Sequence, residues 1–178
     1  PSRNGNTLSD RASKSALMYN VKNFKTYSFL DRGSDERQFC SPNVDLPICS
    51  IMRSKYHEYS EYHTSEDDLK FISSEGLQGG FDILKKTLEI IEFNYIYKAK
   101  FPCEPQLGKY KLYPKMSIKD NYAESKNLIN FLAHCDGKND LIEISNKINV
   151  NPIDLIELSS KLFKLNLIVK IKKKLLWI

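Results

Sequence analysis

GSDERQFCSPNVDLPICSIMRSKYHEYSEYHTSEDDL (33–69) is the stretch on which both fold and chemistry turn. It carries two of the three histidines, His57 and His63, together with eight acids in 37 residues. Its sharpest piece is Tyr62-His63-Thr64 followed by Asp67. An imidazole at the end of a strand segment, in a loop with a carboxylate close by, can offer one ring nitrogen to a metal. The carboxylate can then fix the other nitrogen or the loop. A lone histidine in a polar loop is more often simply solvated, so the spacing alone leaves both readings open.

Upstream of this stretch, Ser9 or Asp10 can cap a helix running to about Val21. Tyr27–Leu30 and Leu46–Met52 are rich in β-branched and aromatic types and read as buried strands. Downstream, Ser74–Tyr97 reads as a long helix with Leu77, Phe81, Leu84, Leu88, Ile91 and Ile96 near one face. Gly76, Gly79 and Gly80 weaken its first turns. Strands alternating with helices predict an α/β layer architecture with a largely parallel sheet. Two or three strands make a poor independent sheet, so residues 1–100 read as the C-terminal part of a larger α/β domain.

The stretch FPCEPQLGKYKLYPK (101–115) carries three prolines, which remove backbone donors and block helix. It reads as an extended connector over 101–116. Residues 117–178 then show a helix over Tyr122–Ala133, a break at Asp136-Gly137 and a short helix with Leu141, Ile142, Ile144 and Ile148. A third helix is capped by Asn151, with Pro152 at its first position. Two short β-type runs follow, Leu167–Ile171 and Leu175–Ile178, separated by Lys172-Lys173-Lys174. Three helices and a terminal hairpin are the winged helix-turn-helix pattern.

Composition bounds the function. The 178 residues are 41% hydrophobic and 28% charged, the balance of a globular protein. Apolar runs are only a few residues long, which excludes a bilayer-spanning helix and predicts no membrane partner. Cys40, Cys49, Cys103 and Cys135 are scattered, so reduced thiols and a cytoplasmic location are expected. Lys and Arg number 27 against 22 acids, a net charge of +5, short of a dense nucleic-acid stripe. The helix at 152–164 sets Asp154 and Glu157 against Lys161 and Lys164, with the acids in the half that would meet bases. That weighs against DNA as a partner. Lys172, Lys173 and Lys174 are the only basic cluster that could touch phosphate.

Gly33-Ser34-Asp35, Leu46-Pro47 before a strand, and His63-Thr64-x-x-Asp67 together resemble the closing section of zinc-dependent aminopeptidases of the leucyl aminopeptidase and glutamate carboxypeptidase type. Longer strings are closer still to bacterial polysaccharide biosynthesis proteins with an aminopeptidase-like domain. These strings are Pro-Ser-Arg at the start, GSDERQFCSP (33–42), EYHTSEDDL (61–69) and PCEPQLGKYKLYP (102–114). The resemblance covers essentially the whole chain and implies the C-terminal part of a zinc-peptidase-like three-layer α/β domain followed by a winged helix.

What the resemblance implies chemically is a zinc-assisted hydrolase acting on a peptide-like or amide substrate, with His63 as the last metal ligand. The family's other ligands would lie upstream of residue 1, in the missing N-terminal half of the domain or a partner chain. The chain alone is therefore expected to be inactive. Asp35 could orient a catalytic element or cap the turn after Gly33. Glu36 could touch substrate or pair with Arg37 at the surface. Arg53 and Tyr62 could line a pocket, Arg53 holding a substrate carboxylate. Thr64 belongs to the histidine motif, and Asp67 could support it or cap a helix. The competing class is a winged-helix DNA-binding or protein-interaction module with a non-catalytic α/β partner.

Overall fold

The computed structural model describes residues 1–112 and 119–171. The chain divides into two units, Pro1–Ile91 and Glu92–Ile178. The division lies upstream of the proline-marked stretch.

The first unit opens on α1, Leu8–Asn20, begun by a capping box in which Thr7 and Asp10 satisfy each other's backbone N–H groups. Asp10 also accepts from the Ser2 N–H at 2.7 Å and the Ser2 hydroxyl at 2.5 Å, which ties the start of the chain to the helix. Burial opposes ionisation of Asp10, but these bonds outweigh it and hold its carboxyl below the ordinary range. A four-residue helix, α2, spans Glu36–Phe39, and α3 spans Ser74–Phe93. The cap expected of Asp67 falls to Ser73, whose hydroxyl accepts from the Gly76 N–H at 3.0 Å.

The strands expected at Tyr27–Leu30 and Leu46–Met52 do not form. Phe29–Asp31 is a turn of 3-10 helix begun by a capping box from Ser28 and Asp31. Around Leu46 the backbone groups find loop partners instead of a ladder. The Leu46 N–H donates to the Phe39 carbonyl at 2.8 Å, and the Cys40 thiol reaches the Leu46 and Ile48 carbonyls at 3.2 and 3.3 Å. The Ser9 hydroxyl donates to the Pro47 carbonyl. Apolar and β-branched composition marks a segment that can join a sheet, but a strand exists only where another offers it a ladder.

The sheet among the described residues is antiparallel and lies in the second unit, not parallel and in the first as expected. It is formed by β1 (Ile96–Ala99), β2 (Asp136–Asp140) and β3 (Ile168–Ile171) in the order β2-β1-β3. Ile96 and Tyr97, expected on the long helix, are strand residues, paired with Ile171 and Lys170. Asn94 makes the change of structure. Its amide donates to Asp140 at 3.1 Å and accepts the Ile142 N–H at 3.1 Å, so the chain leaves the helix to join another segment.

The helices of the second unit are α4 (Lys119–Ala133), α5 (Leu141–Ile148) and α6 (Pro152–Lys164). Asp140 and Glu143 close a capping box on α5, and Asn151 caps α6 ahead of Pro152. Tyr97, Phe131, Leu141, Ile144, Leu155 and Leu162 are fully buried at the centre of this unit. Three helices on a small sheet with β3 last are the winged-helix arrangement. The run at 175–178 and the Lys172, Lys173 and Lys174 cluster lie outside the described residues.

Candidate functional site

Glu36 organises the loops of the first unit. It is 4% exposed, although the sequence allowed it a surface pair with Arg37. One carboxylate oxygen accepts the Gly33 and Ser34 N–H groups at 3.0 and 3.2 Å and the Tyr56 hydroxyl at 3.2 Å. The other accepts the Ser50 hydroxyl at 2.9 Å. Burial works against the charge, yet the bonds from Gly33, its own backbone, Ser50 and Ser34 prevail and pull the carboxyl down to about 2. With its acceptor sites filled by the protein, Glu36 is built to hold three loops together.

Tyr56 closes this arrangement. Its hydroxyl also lies 2.9 Å from the Asp31 carbonyl, and its ring lies against Gly33. A Cβ at residue 33 would stand 2.6 Å from that ring. Gly33→Ala should therefore displace Tyr56 and destabilise the unit by about 1–3 kcal/mol. Thermal unfolding measures this directly, and an unchanged Tm would show that the ring moves aside freely.

A cavity of about 910 Å³ opens beside this hub, and Glu36, Arg53, Lys55 and Tyr27 are among its lining residues. The Lys55 ammonium sits 4.3 Å from the Tyr56 ring centroid and 5.2 Å from that of Tyr27. Tyr27 donates to Glu58 at 2.7 Å. The Arg53 guanidinium lies over α3, 3.0 Å from the place a Cβ would occupy on Gly79. The glycine that weakens the helix thus makes room for a cation. Glu36 and Arg53 are the two expected site residues that line this cavity.

His63 lies apart from the lining of that cavity. It is exposed, with a backbone φ of +58°, and its ring stacks on Tyr62 at 4.0 Å and 15°. The same tyrosine meets His57 edge-on at 4.8 Å. Thr64 fixes the turn: its hydroxyl donates to the Glu61 carbonyl at 2.8 Å and accepts the Glu66 N–H at 3.2 Å. Asp67 is exposed and continues this turn, its N–H donating to the Thr64 carbonyl at 3.3 Å. Asp35 is exposed at the start of α2 and makes no side-chain cap. The structure therefore brings Tyr62, His63 and Thr64 into one aromatic-backed turn, joined to the Glu36 hub by the Tyr62 ring 6.3 Å from that of Tyr56, while Arg53 lines the cavity.

No group of three or more His, Cys, Asp or Glu side chains able to hold a metal occurs among the described residues. A catalytic zinc takes three protein ligands. The donors present do not fit such a centre, and His63 offers a single imidazole. The hub built on Glu36 escaped sequence reasoning. Its one local signal is the Gly33-Ser34 pair just ahead of the acid, which supplies two N–H donors.

Residues 1–94 match the domain of unknown function DUF4910. The chain belongs to this family. Residues 95–170 match a winged helix-turn-helix domain, in agreement with the helices and sheet described above. A candidate polysaccharide biosynthesis protein with an aminopeptidase-like domain, from Clostridium acetobutylicum, is 34% identical over 145 residues, 80% of this chain and 33% of the relative. The crystal structure of a candidate peptidase from Clostridium acetobutylicum superposes with a TM-score of 0.82 at 28% identity. That match covers 96% of this chain and 37% of the other. The chain thus spans about a third of the length of the relatives it matches. The DUF4910 segment holds both the Glu36 hub and the His63 turn.

Proposed function

We propose that this chain is the C-terminal part of an aminopeptidase-like hydrolase of peptide or amide bonds, contributing one imidazole, His63, to a zinc site completed by residues outside the described ones. The observation that carries this is the presentation of His63. An exposed ring is held against Tyr62 on a left-handed turn that Thr64 fixes, within a segment related to aminopeptidase-like proteins. Stacking and the turn restrict the ring before any metal arrives, as a metal-bound histidine requires.

Arg53 is the cation proposed to hold a substrate carboxylate. It lines the cavity, and Gly79 leaves space for its guanidinium. Tyr62, Thr64 and Asp67 would support the turn that presents His63, and Asp35 the start of α2 beside the Glu36 hub. Four free cysteines support a reducing, cytoplasmic setting. No helix among the described residues is long and apolar enough to cross a membrane. The winged helix is read as a packing or protein-interaction module, because Asp154 lies in the first turn of α6 and the lysines in its last.

The test is a chimera in which this chain replaces the matching segment of the Clostridium acetobutylicum relative. It should bind zinc and cleave an aminoacyl amide. His63→Ala should cut zinc affinity by at least about a hundredfold. The 178-residue chain alone should hold no tight zinc and turn over nothing. A chimera whose zinc content is unaffected by His63→Ala, or that holds no zinc, overturns the proposal, as does zinc-dependent turnover by the chain alone.

A further inference from the structure

The first unit wears its large apolar side chains on the outside. Its buried apolar residues are Ala12, Ala16, Cys40, Ile83 and Ile90, mostly small. On α3, by contrast, Leu77, Phe81, Leu84 and Leu88 are 64%, 61%, 51% and 65% exposed. Their spacing of four, three and four residues is a single seam on one face, the spacing by which a helix seats itself against another element. Ile83, Thr87 and Ile90 occupy the other, buried face. Scattered exposed leucines need no explanation, but a continuous seam of this kind marks a surface that something covers.

We infer that the Leu77–Phe81–Leu84–Leu88 seam is a docking face for an apolar layer of the remaining peptidase-like domain, the part by which the relatives exceed this chain. One observation selects this occupant. The chain superposes over 96% of its length on a structure of which it makes up 37%, so the same fold is found within a much larger body. None of the four seam residues lines the cavity beside the Glu36 hub, so the seam is a separate surface of the unit. The inference rests on the proposed function only for the identity of the occupant.

The test compares Phe81→Ser/Leu84→Ser in two settings, the 178-residue chain and the chimera described above. In the isolated chain the double substitution should leave Tm unchanged and reduce binding of a hydrophobic dye. In the chimera it should lower Tm by about 5 °C or more. Hydrogen exchange over residues 74–91 should be markedly slower in the chimera than in the isolated chain. An equal loss of Tm in both settings would make the seam part of the unit's own core and overturn the inference. A dimeric isolated chain made monomeric by the substitutions would assign the face to a second copy and overturn it too. These readouts do not involve zinc. A chimera with a protected α3 and no metal sinks the hydrolase proposal alone, and a zinc-loaded chimera with an unprotected α3 sinks this one alone.

Discussion

Glu36→Gln lowers the stability of the first unit by about 3 kcal/mol at neutral pH, and the loss shrinks as the solution is acidified. The magnitude follows from linkage. A carboxyl that ionises at about 2 in the fold, against an ordinary value of 4.5, is worth roughly 1.4 kcal/mol per unit of difference. The sign follows from the direction of the shift. Because the folded value is depressed, the stabilisation is complete above the ordinary value and drains away as pH falls toward the folded one. Near about pH 3 less than half should remain. Glutamine is close in shape and can turn its carbonyl oxygen to the Gly33 and Ser34 N–H groups and its NH₂ to the Ser50 hydroxyl, which can accept, so the substitution removes chiefly the charge. Denaturant unfolding of both proteins across this pH range gives the difference directly. Asp10, Asp45 and Glu58 are also held below their ordinary range, so the wild type alone would mix several carboxylates. The difference between the two proteins isolates one. A gap that stays constant down to about pH 3 would show that the cost comes from packing and not from the charge.

The hub also marks where sequence reasoning stops. Capping signals act within four residues, and Asn151 with Pro152 located α6; α5 followed from the Asp136-Gly137 break and its apolar residues, with Asp140 and Glu143 closing its capping box in the fold. The His63 segment was legible only as a loop: the turn that Thr64 fixes through Glu61 and Glu66 is equally local, but the histidine was expected at the end of a strand. Glu36 is different. Ser50 and Tyr56 reach it from 14 and 20 residues away, and nothing in a stretch of acids says which one will be buried. The strand assignments failed for a related reason. Tyr27–Leu30 has a strand's composition, but no segment among the described residues offers it a ladder, and Leu30 ends 80% exposed. The α3 seam was visible as an apolar face, but its spacing could not reveal that this face would be left uncovered while Ile83 and Ile90 turned inward.

Tyr97 tests the largest such difference, because its apolar ring fits the tail of a long helix equally well on paper. In the fold it is fully buried, on the central strand, with the Phe131 ring edge-on at 5.3 Å. Its hydroxyl donates to the Phe93 carbonyl at 2.9 Å and lies 3.3 Å from the Ser159 hydroxyl. Burial raises its ionisation to about 12, so it stays a neutral phenol under ordinary conditions. Tyr97→Ala should cost the second unit about 3–5 kcal/mol, through lost ring burial and the space left at the centre of the sheet. Tyr97→Phe keeps the ring and removes one hydrogen bond, and should cost about 1 kcal/mol. Denaturant unfolding followed by circular dichroism on both variants separates ring from hydroxyl. A small and equal loss in the two would place residue 97 on an exposed helix end. A large loss confined to alanine is what a strand at the heart of the winged helix demands, because only there does the ring have packed neighbours on every side.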